Sequence, residues 1–358
     1  MSKTRHSLNV TLLIVVATAV LYFIFDFMFP RPEAAVTQAG PIDTMLQVHF
    51  LMMAFLFALI MVIMLYAVVF FRRQPGDEED GPHVHGSTSL EIIWTVVPTV
   101  VVLVFGVYGT LVFNDIRAEQ EGEMVVDIIG RQWSWSFSYP EFDDAAAGEL
   151  VLPVNRPVLL HMVSEDVLHA FWVPEFRVKQ DLMPGRVTEL RFTPSVEGNY
   201  KLRCAEICGL DHAGMIADVR VVSQAEFDSF IEAARDEPEW AELTSEERGE
   251  IWYGSERGYG CVACHSVDGS PGVGPSWLGI YMAERPLADG TTVIGDEEYL
   301  RRSILEPDAD IVAGYQPGLM PANYGERFEA REAELMASHT IEIDIIDDLI
   351  AFIRTLEE

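Results

Sequence analysis

Lysine is nearly missing from this sequence of 358 residues: Lys3, Lys179 and Lys201 are the only three, and arginine carries almost all the positive charge. Lysine and arginine together number 24 against 56 acidic residues, a formal net charge of −32. Phosphate binding needs a basic footprint, so this balance excludes nucleic acid as a partner. Cysteine is also scarce. The four present form two close pairs, Cys204/Cys208 and Cys261/Cys264, each with histidine and methionine nearby in sequence, which points to metal chemistry rather than a disulfide framework. Internal repeats and low-complexity segments are absent, and neither a repeat array nor a disordered tail is expected.

The acid is unevenly spread. Residues 1–120 carry net −4, residues 121–222 net −7 and residues 223–358 net −21. An acidic domain can steer basic partners. A lysine-poor, acid-rich surface also suits high salt, where screening lengths shrink to a few ångströms. The presence of acid in every segment favours the salt reading.

Two runs are free of charge, Met45 to Phe71 (27 residues) and Ile92 to Phe113 (22 residues). Each exceeds the ~20 residues needed to cross a bilayer. Arg72 and Arg73 abut the first, so the loop between them, with its acidic stretch Asp77–Asp80, is placed in the cytoplasm and the chain after Phe113 outside. A shorter run, Val10 to Phe25, follows Lys3 and Arg5. It reads as a signal peptide or as a retained helix reaching Phe29, and the lack of a small-residue cleavage site favours the helix.

Between Met124 and Val222 the pattern turns period-two, as in Val187-Thr188-Glu189-Leu190-Arg191-Phe192, with Pro and Gly punctuation. An antiparallel β-sandwich or barrel is expected. Ser223–Glu226 and Thr244–Glu247 are capping boxes. The first opens a helix ending before Pro238, and the second opens one running from Glu246 to Tyr259. A last helix is expected over Ile341 to Leu356, with Ile345, Ile346, Leu349, Ile350 and Ile353 at helical spacing. The C-terminal part is therefore small and α-helical.

Cys204, Cys208, His212 and Met215 fall within twelve residues. Two thiolates, an imidazole and a thioether are a soft set that selects copper. Structural zinc is the competing reading, but zinc rarely takes methionine. His169, in Asp166-Val167-Leu168-His169, is the expected further ligand. Cys261-Val-Ala-Cys264-His265 is a c-type haem attachment signature; a thioredoxin-like motif would need a strand leading into it. Met320, before Pro321 on a loop, is the expected distal ligand, because Met/His ligation raises the potential. Met282 is too near the attachment motif and Met336 lies in an expected helix. His49, His161, His83 and His85 are expected to be structural or uninvolved.

With these residues in hand, Cys-x-Glu-x-Cys-x3-His-x2-Met with an upstream Asp-x2-His resembles the binuclear CuA site of cytochrome c oxidase subunit II. The resemblance implies that Cys204 and Cys208 bridge two coppers, that His169, His212 and Met215 complete the set, and that Glu206 binds through its carbonyl and holds magnesium by its carboxylate at the border with subunit I. Leu90-Glu91-Ile-Ile-Trp94-Thr95 resembles the start of the family's second span, which implies that Glu91 stands at the entrance of a proton channel. Gly130-Arg-Gln-Trp133-Ser-Trp135 resembles the aromatic segment that feeds electrons to CuA, with Trp133 in that role. Pro275 matches the cytochrome c proline whose carbonyl holds the proximal imidazole.

Along nearly its whole length the chain is similar to subunit II of a caa-type haem-copper oxidase. The implied fold is a membrane-anchored, multidomain one: an N-terminal helix or signal with an outer loop (1–44), a transmembrane helical hairpin (45–120), an all-β cupredoxin CuA domain (121–222), a helical linker (223–244) and an all-α class I cytochrome c domain (245–358). The implied activity is electron relay from an external donor such as a cytochrome c, through haem c and CuA, to subunit I, where oxygen is reduced to water and protons are pumped. Subunit III is a further implied partner. The implied location is the bacterial cytoplasmic membrane, with both soluble domains on the periplasmic side. Two other readings stand beside it: the electron-receiving subunit of a CuA-type nitric oxide reductase, which Glu91 disfavours, and a membrane-tethered copper chaperone, which would need no covalent haem.

Overall fold

The computed structural model describes residues 3–73, 76, 85–235, 240–255, 257–339 and 341–356. The chain forms two compact units, Met1–Ala118 and Glu119–Glu358.

The first unit is built from α1 (Lys3–Met28), α2 (Ala39–Phe70) and α3 (Thr88–Ile116). All three are long and apolar enough to span a membrane. Their side chains are mostly exposed, Phe23, Ile60 and Val102 among them, as expected of surfaces meant for lipid. α1 extends well beyond the apolar run Val10–Phe25 and passes Asp26, whose carboxylate lies 3.3 Å from Arg31. α1 and α2 pack along each other, with His6 Nδ1 2.8 Å from the Tyr66 hydroxyl. His49 bonds the Met45 carbonyl at 2.7 Å and meets Phe105 of α3 edge-on, which fits a structural role. The acidic stretch 77–80 and His83 lie outside the described residues.

The second unit begins with a sandwich of two five-stranded sheets. One contains β1 (Met124–Arg131), β2 (Ser134–Tyr139), β3 (Ala145–Ala147), β5 (Val158–Ser164) and β8 (Thr188–Phe192), in the order β3-β2-β1-β5-β8. The other contains β4 (Leu150–Pro153), β6 (His169–Trp172), β7 (Lys179–Leu182), β9 (Gly198–Cys204) and β10 (Ile216–Val222), in the order β4-β10-β9-β6-β7. Alternate residues point inward: Met124, Val126 and Ile128 of β1 and Val158, Leu160 and Met162 of β5 are fully buried. Most pairings are antiparallel, as the alternation suggested, but β1/β5 and β4/β10 are parallel. The chain leaves the first sheet after β3, adds β4 to the second and returns as β5, and such crossings make parallel neighbours that alternation does not encode.

α4 (Gln224–Arg235) buries Phe227 and Ile231, with Phe227 against Tyr139 of the sandwich. Ser223 Oγ accepts from the Glu226 amide at 3.3 Å, while the Glu226 carboxylate turns to Arg220. The remaining lobe holds α5 (Ser245–Tyr253), a hairpin of β11 (Glu284–Pro286) and β12 (Thr292–Ile294), α6 (Glu297–Leu305), α7 (Tyr324–His339) and α8 (Ile345–Thr355). The hairpin is a departure from the all-helical expectation. The full capping box at Thr244 and Glu247 opens α5, but the helix stops at Tyr253 rather than Tyr259. At Gly258 the chain folds back over the helix end, where a Cβ would lie 2.3–2.4 Å from three carbonyl oxygens. α8 starts four residues later than expected because Asp344 caps it, accepting from the Asp347 amide at 2.8 Å. α5 and α8 cross at Gly249, where a Cβ would fall 2.1 Å from the Asp348 carbonyl oxygen. Beside that crossing, Asp348 accepts from Nε and Nη2 of Arg248 and from the Trp252 indole N–H.

Candidate metal centre and the cavity of the C-terminal lobe

Cys204 ends β9, and the loop to β10 carries Cys208, His212 and Met215. His169 opens β6, and the pairing of Phe171 with Cys204 draws it beside that loop across 35 residues of sequence. Cys204 Sγ lies 3.7 Å from Cys208 Sγ and 3.9 Å from His169 Nδ1. Cys208 Sγ lies 3.5 Å from His212 Nδ1 and 3.8 Å from Met215 Sδ. A disulfide needs about 2.05 Å, so both thiols are free. The Cys204 thiol donates to the Glu206 carbonyl at 3.1 Å, which places that oxygen on the sulfur cluster.

His169, Cys204, Cys208 and Met215 are buried and His212 is half-buried, and the cluster is oriented from outside it. His169 Nε2 donates to Asp166 Oδ1 at 2.8 Å, leaving Nδ1 aimed at Cys204. Asp166 is fixed in turn by the backbone amides of Val167 and Gln132. A carboxylate on the far nitrogen sets a ligating ring's tautomer and raises its basicity. Burial opposes ionisation of Cys204, but hydrogen bonds from His169 and the backbone outweigh it and bring the thiol down to about 6. Burial, then the charge of Cys204, pushes Cys208 up to about 12. Two thiols this close lose their first proton readily and hold the second, until a cation compensates both charges. This soft, buried donor set fits copper.

The second site lies in the C-terminal lobe. Cys261, Cys264, His265, Pro275 and Met320 line one cavity, walled by Tyr299, Ile304, Tyr324, Phe328 and Leu349. His265 Nδ1 donates to the Pro275 carbonyl at 2.8 Å, so Nε2 is free to ligate. Burial lowers the pKa of His265 and keeps the ring neutral, the ligating form. At Gly274 a Cβ would sit 2.6 Å from His265 Cε1, so the chain lies directly under the ring. Ser303 Oγ, on the cavity wall, is buried without a partner. A flat, largely apolar group with polar edges fits this cradle. Met282 is 61% exposed and Met336 is 43% exposed, and neither lines it.

Trp133 is 4% exposed, and its indole nitrogen has no partner. Glu91 stands exposed in the first turn of α3, where the helix dipole favours it. His161 faces Asp127 at 3.5 Å on the outer side of its sheet. Sequence reasoning missed Gln132, whose carboxamide donates to the Cys208 carbonyl at 2.5 Å. It also missed the Arg131–Glu165–Arg327 cluster that joins the lobe to the sandwich. No local pattern announces either, since both arise from chain segments brought together only by folding.

Fold and site define a membrane-anchored protein whose periplasmic domain is a cupredoxin-like sandwich with a dithiolate metal loop. Two family profiles match: cytochrome c oxidase subunit II, transmembrane domain, over residues 25–111, and cytochrome c oxidase subunit II, periplasmic domain, over residues 145–222. Cytochrome c oxidase subunit 2 of a Synechocystis strain is 32% identical, across 56% of this chain and 75% of its own. That of Alkalihalophilus pseudofirmus is 31% identical, across 66% and 71%. Among solved structures, the periplasmic domain of subunit II of cytochrome oxidase from Bradyrhizobium japonicum is 34% identical, with a TM-score of 0.31, covering 32% of this chain and 96% of its own. The chain belongs to the cytochrome c oxidase subunit II family, and so to a haem-copper oxidoreductase.

Proposed function

We propose that this chain receives electrons from an external donor in its C-terminal lobe and hands them, through the loop after β9, to the haem-copper subunit I of a bacterial cytochrome c oxidase. Cys204, Cys208, His169, His212, Met215 and the Glu206 carbonyl would hold a CuA copper pair. Cys261 and Cys264 would bond a haem c held by His265 and Met320. When bound, the copper pair and the haem each supply a one-electron relay.

The observation that carries the reading is the convergence of two free thiols, two imidazoles and a thioether in a single cluster, buried except for the half-buried His212, each neighbouring pair within 3.9 Å. Asp166 orients His169, Pro275 orients His265, and the packed sandwich keeps water from the sulfurs. A rigid, preorganised donor set changes little when its charge changes, which keeps transfer fast. Trp133 would carry electrons toward the loop. Glu91 would admit protons from the cytoplasm to subunit I, and the Glu206 carboxylate would hold magnesium at the subunit border, an oxygen ligand for a hard ion. Subunit III would complete the assembly in the cytoplasmic membrane.

The test is spectroscopic. The purified protein is expected to show a c-type pyridine haemochrome and a near-infrared mixed-valence band, and to copurify with subunit I. Met320→Leu should abolish the sulfur-to-iron charge-transfer band and lower the haem potential, whereas Met282→Leu should leave both intact. The reverse result would move the distal ligand elsewhere.

A further inference from the structure

We propose that Gln132 is a positioning residue for electron transfer between the two redox sites of the soluble unit, its carboxamide tying the metal loop to the wall of the C-terminal cavity. The inference rests on the reading above, that the loop holds copper and the cavity haem. Three contacts of this one residue meet there. Its Nε2 donates to the carbonyl of Cys208 at 2.5 Å, in the same residue as one of the clustered sulfurs. It lines the cavity together with Gly260, Cys261 and Met320. Its backbone amide donates to Asp166, the carboxylate that orients His169.

The fit around it is close. At Gly209 a Cβ would lie 2.7 Å from Gln132 Nε2 and 3.0 Å from the Trp133 ring, so the loop is pressed against both residues. Gly260, just before Cys261, lies so near the sandwich that a Cβ there would be 2.9 Å from Ser134 Oγ. Glu165 bridges Arg131 and Arg327 and holds the two lobes at this seam. Where the same loops diverge, at Leu210, Asp211, Val262 and Cys264, an open cleft separates them. Gln132 is therefore the residue of the sandwich that both lines the cavity and hydrogen-bonds the metal loop. One electron leaves the ferrous haem and one enters the oxidised copper pair, with no bond made or broken and no proton moved.

The experiment follows haem-to-copper electron transfer in the complete oxidase after rapid photoreduction of the haem. Gln132→Leu removes the donor, and Gln132→Glu keeps length and shape but cannot donate to the carbonyl, so it decides the matter if the leucine variant does not assemble. Misplacing reacting groups by ~1 Å costs up to roughly a hundredfold, and losing this one contact should slow transfer about tenfold. Both potentials, the haemochrome and the near-infrared band should stay as in the unmutated protein, which a general loss of structure would not allow. An unchanged transfer rate in either variant, with both centres loaded, overturns the role of Gln132 alone. An unmutated protein lacking either spectrum overturns this inference and the functional reading together.

Discussion

Replacing Cys208 by serine is expected to erase the near-infrared band and oxygen consumption while leaving the haem spectrum in place. Cys208 is the hub of the donor set, with Cys204, His212 and Met215 all within 3.8 Å of its sulfur. A serine hydroxyl is a hard donor that stays protonated near neutrality, so it would be a poor substitute for a thiolate in holding copper. The C-terminal cavity takes its sulfurs from Cys261, Cys264 and Met320 instead, which is why haem should survive. Copper titration of the two proteins, with absorbance as readout, checks the result. Survival of the band in the variant would remove the loop from its assigned role. The pH dependence has a definite sign. Metal binding must expel the proton that burial and Cys204 hold on Cys208 up to about 12. The apparent copper affinity of the unmutated protein should therefore rise with pH, as one proton is released from that thiol on binding.

The second large effect concerns stability. Asp348 is 1% exposed and receives Arg248 Nε at 2.8 Å, Arg248 Nη2 at 2.7 Å and Trp252 Nε1 at 3.2 Å. Asp348→Ala takes the counter-charge from a half-buried guanidinium, which keeps only the Leu243 carbonyl and the Ser245 hydroxyl, and leaves a buried indole N–H without its acceptor, a loss of about 3–5 kcal/mol. For a lobe of this size that corresponds to roughly 10–20 °C in melting temperature. The stacked pair Trp240 and Trp252, with ring centroids 4.6 Å apart and planes nearly parallel, gives a local reporter by near-ultraviolet circular dichroism. Replacing both charges together, Arg248→Met with Asp348→Leu, should recover most of the loss, because desolvation of the pair offsets much of its attraction. If Asp348→Ala melts with the unmutated protein, the ion pair does not hold the α5–α8 crossing.

The spans, the sandwich and the metal loop were legible in the sequence because each is written locally. Charge-free runs exceed a bilayer's thickness, alternation marks strands, and Cys204, Cys208, His212 and Met215 share one turn between two strands. His169 was reached only through its motif, since its distance from Cys204 is closed by the β6–β9 pairing. Local signals failed where tertiary contact decides. The parallel pairs β1/β5 and β4/β10 come from chain crossings between sheets. The early stop of α5 comes from a fold-back at Gly258 that capping chemistry does not describe. The helical spacing of Ile345 to Ile353 identified α8, but the start of that helix depended on Asp344 and on Glu332, which accepts from the Ile345 amide at 2.9 Å. Gln132 looked like a spacer between aromatic residues, because neither the carbonyl it holds nor the cavity it walls lies near it in sequence.

The burial of Trp133 has a consequence for traffic. The strip from Arg131 to Ser136 is roofed by the C-terminal lobe, through Glu165 with Arg327, Gly260 over Ser134, and Ser136 with the Ser255 carbonyl. Under the proposed reading, a diffusing carrier protein would find Trp133 already roofed by this permanent tenant. Visitors would then have to call at the outer walls of that tenant, where residues 223–358 present the most acidic stretch of the whole chain.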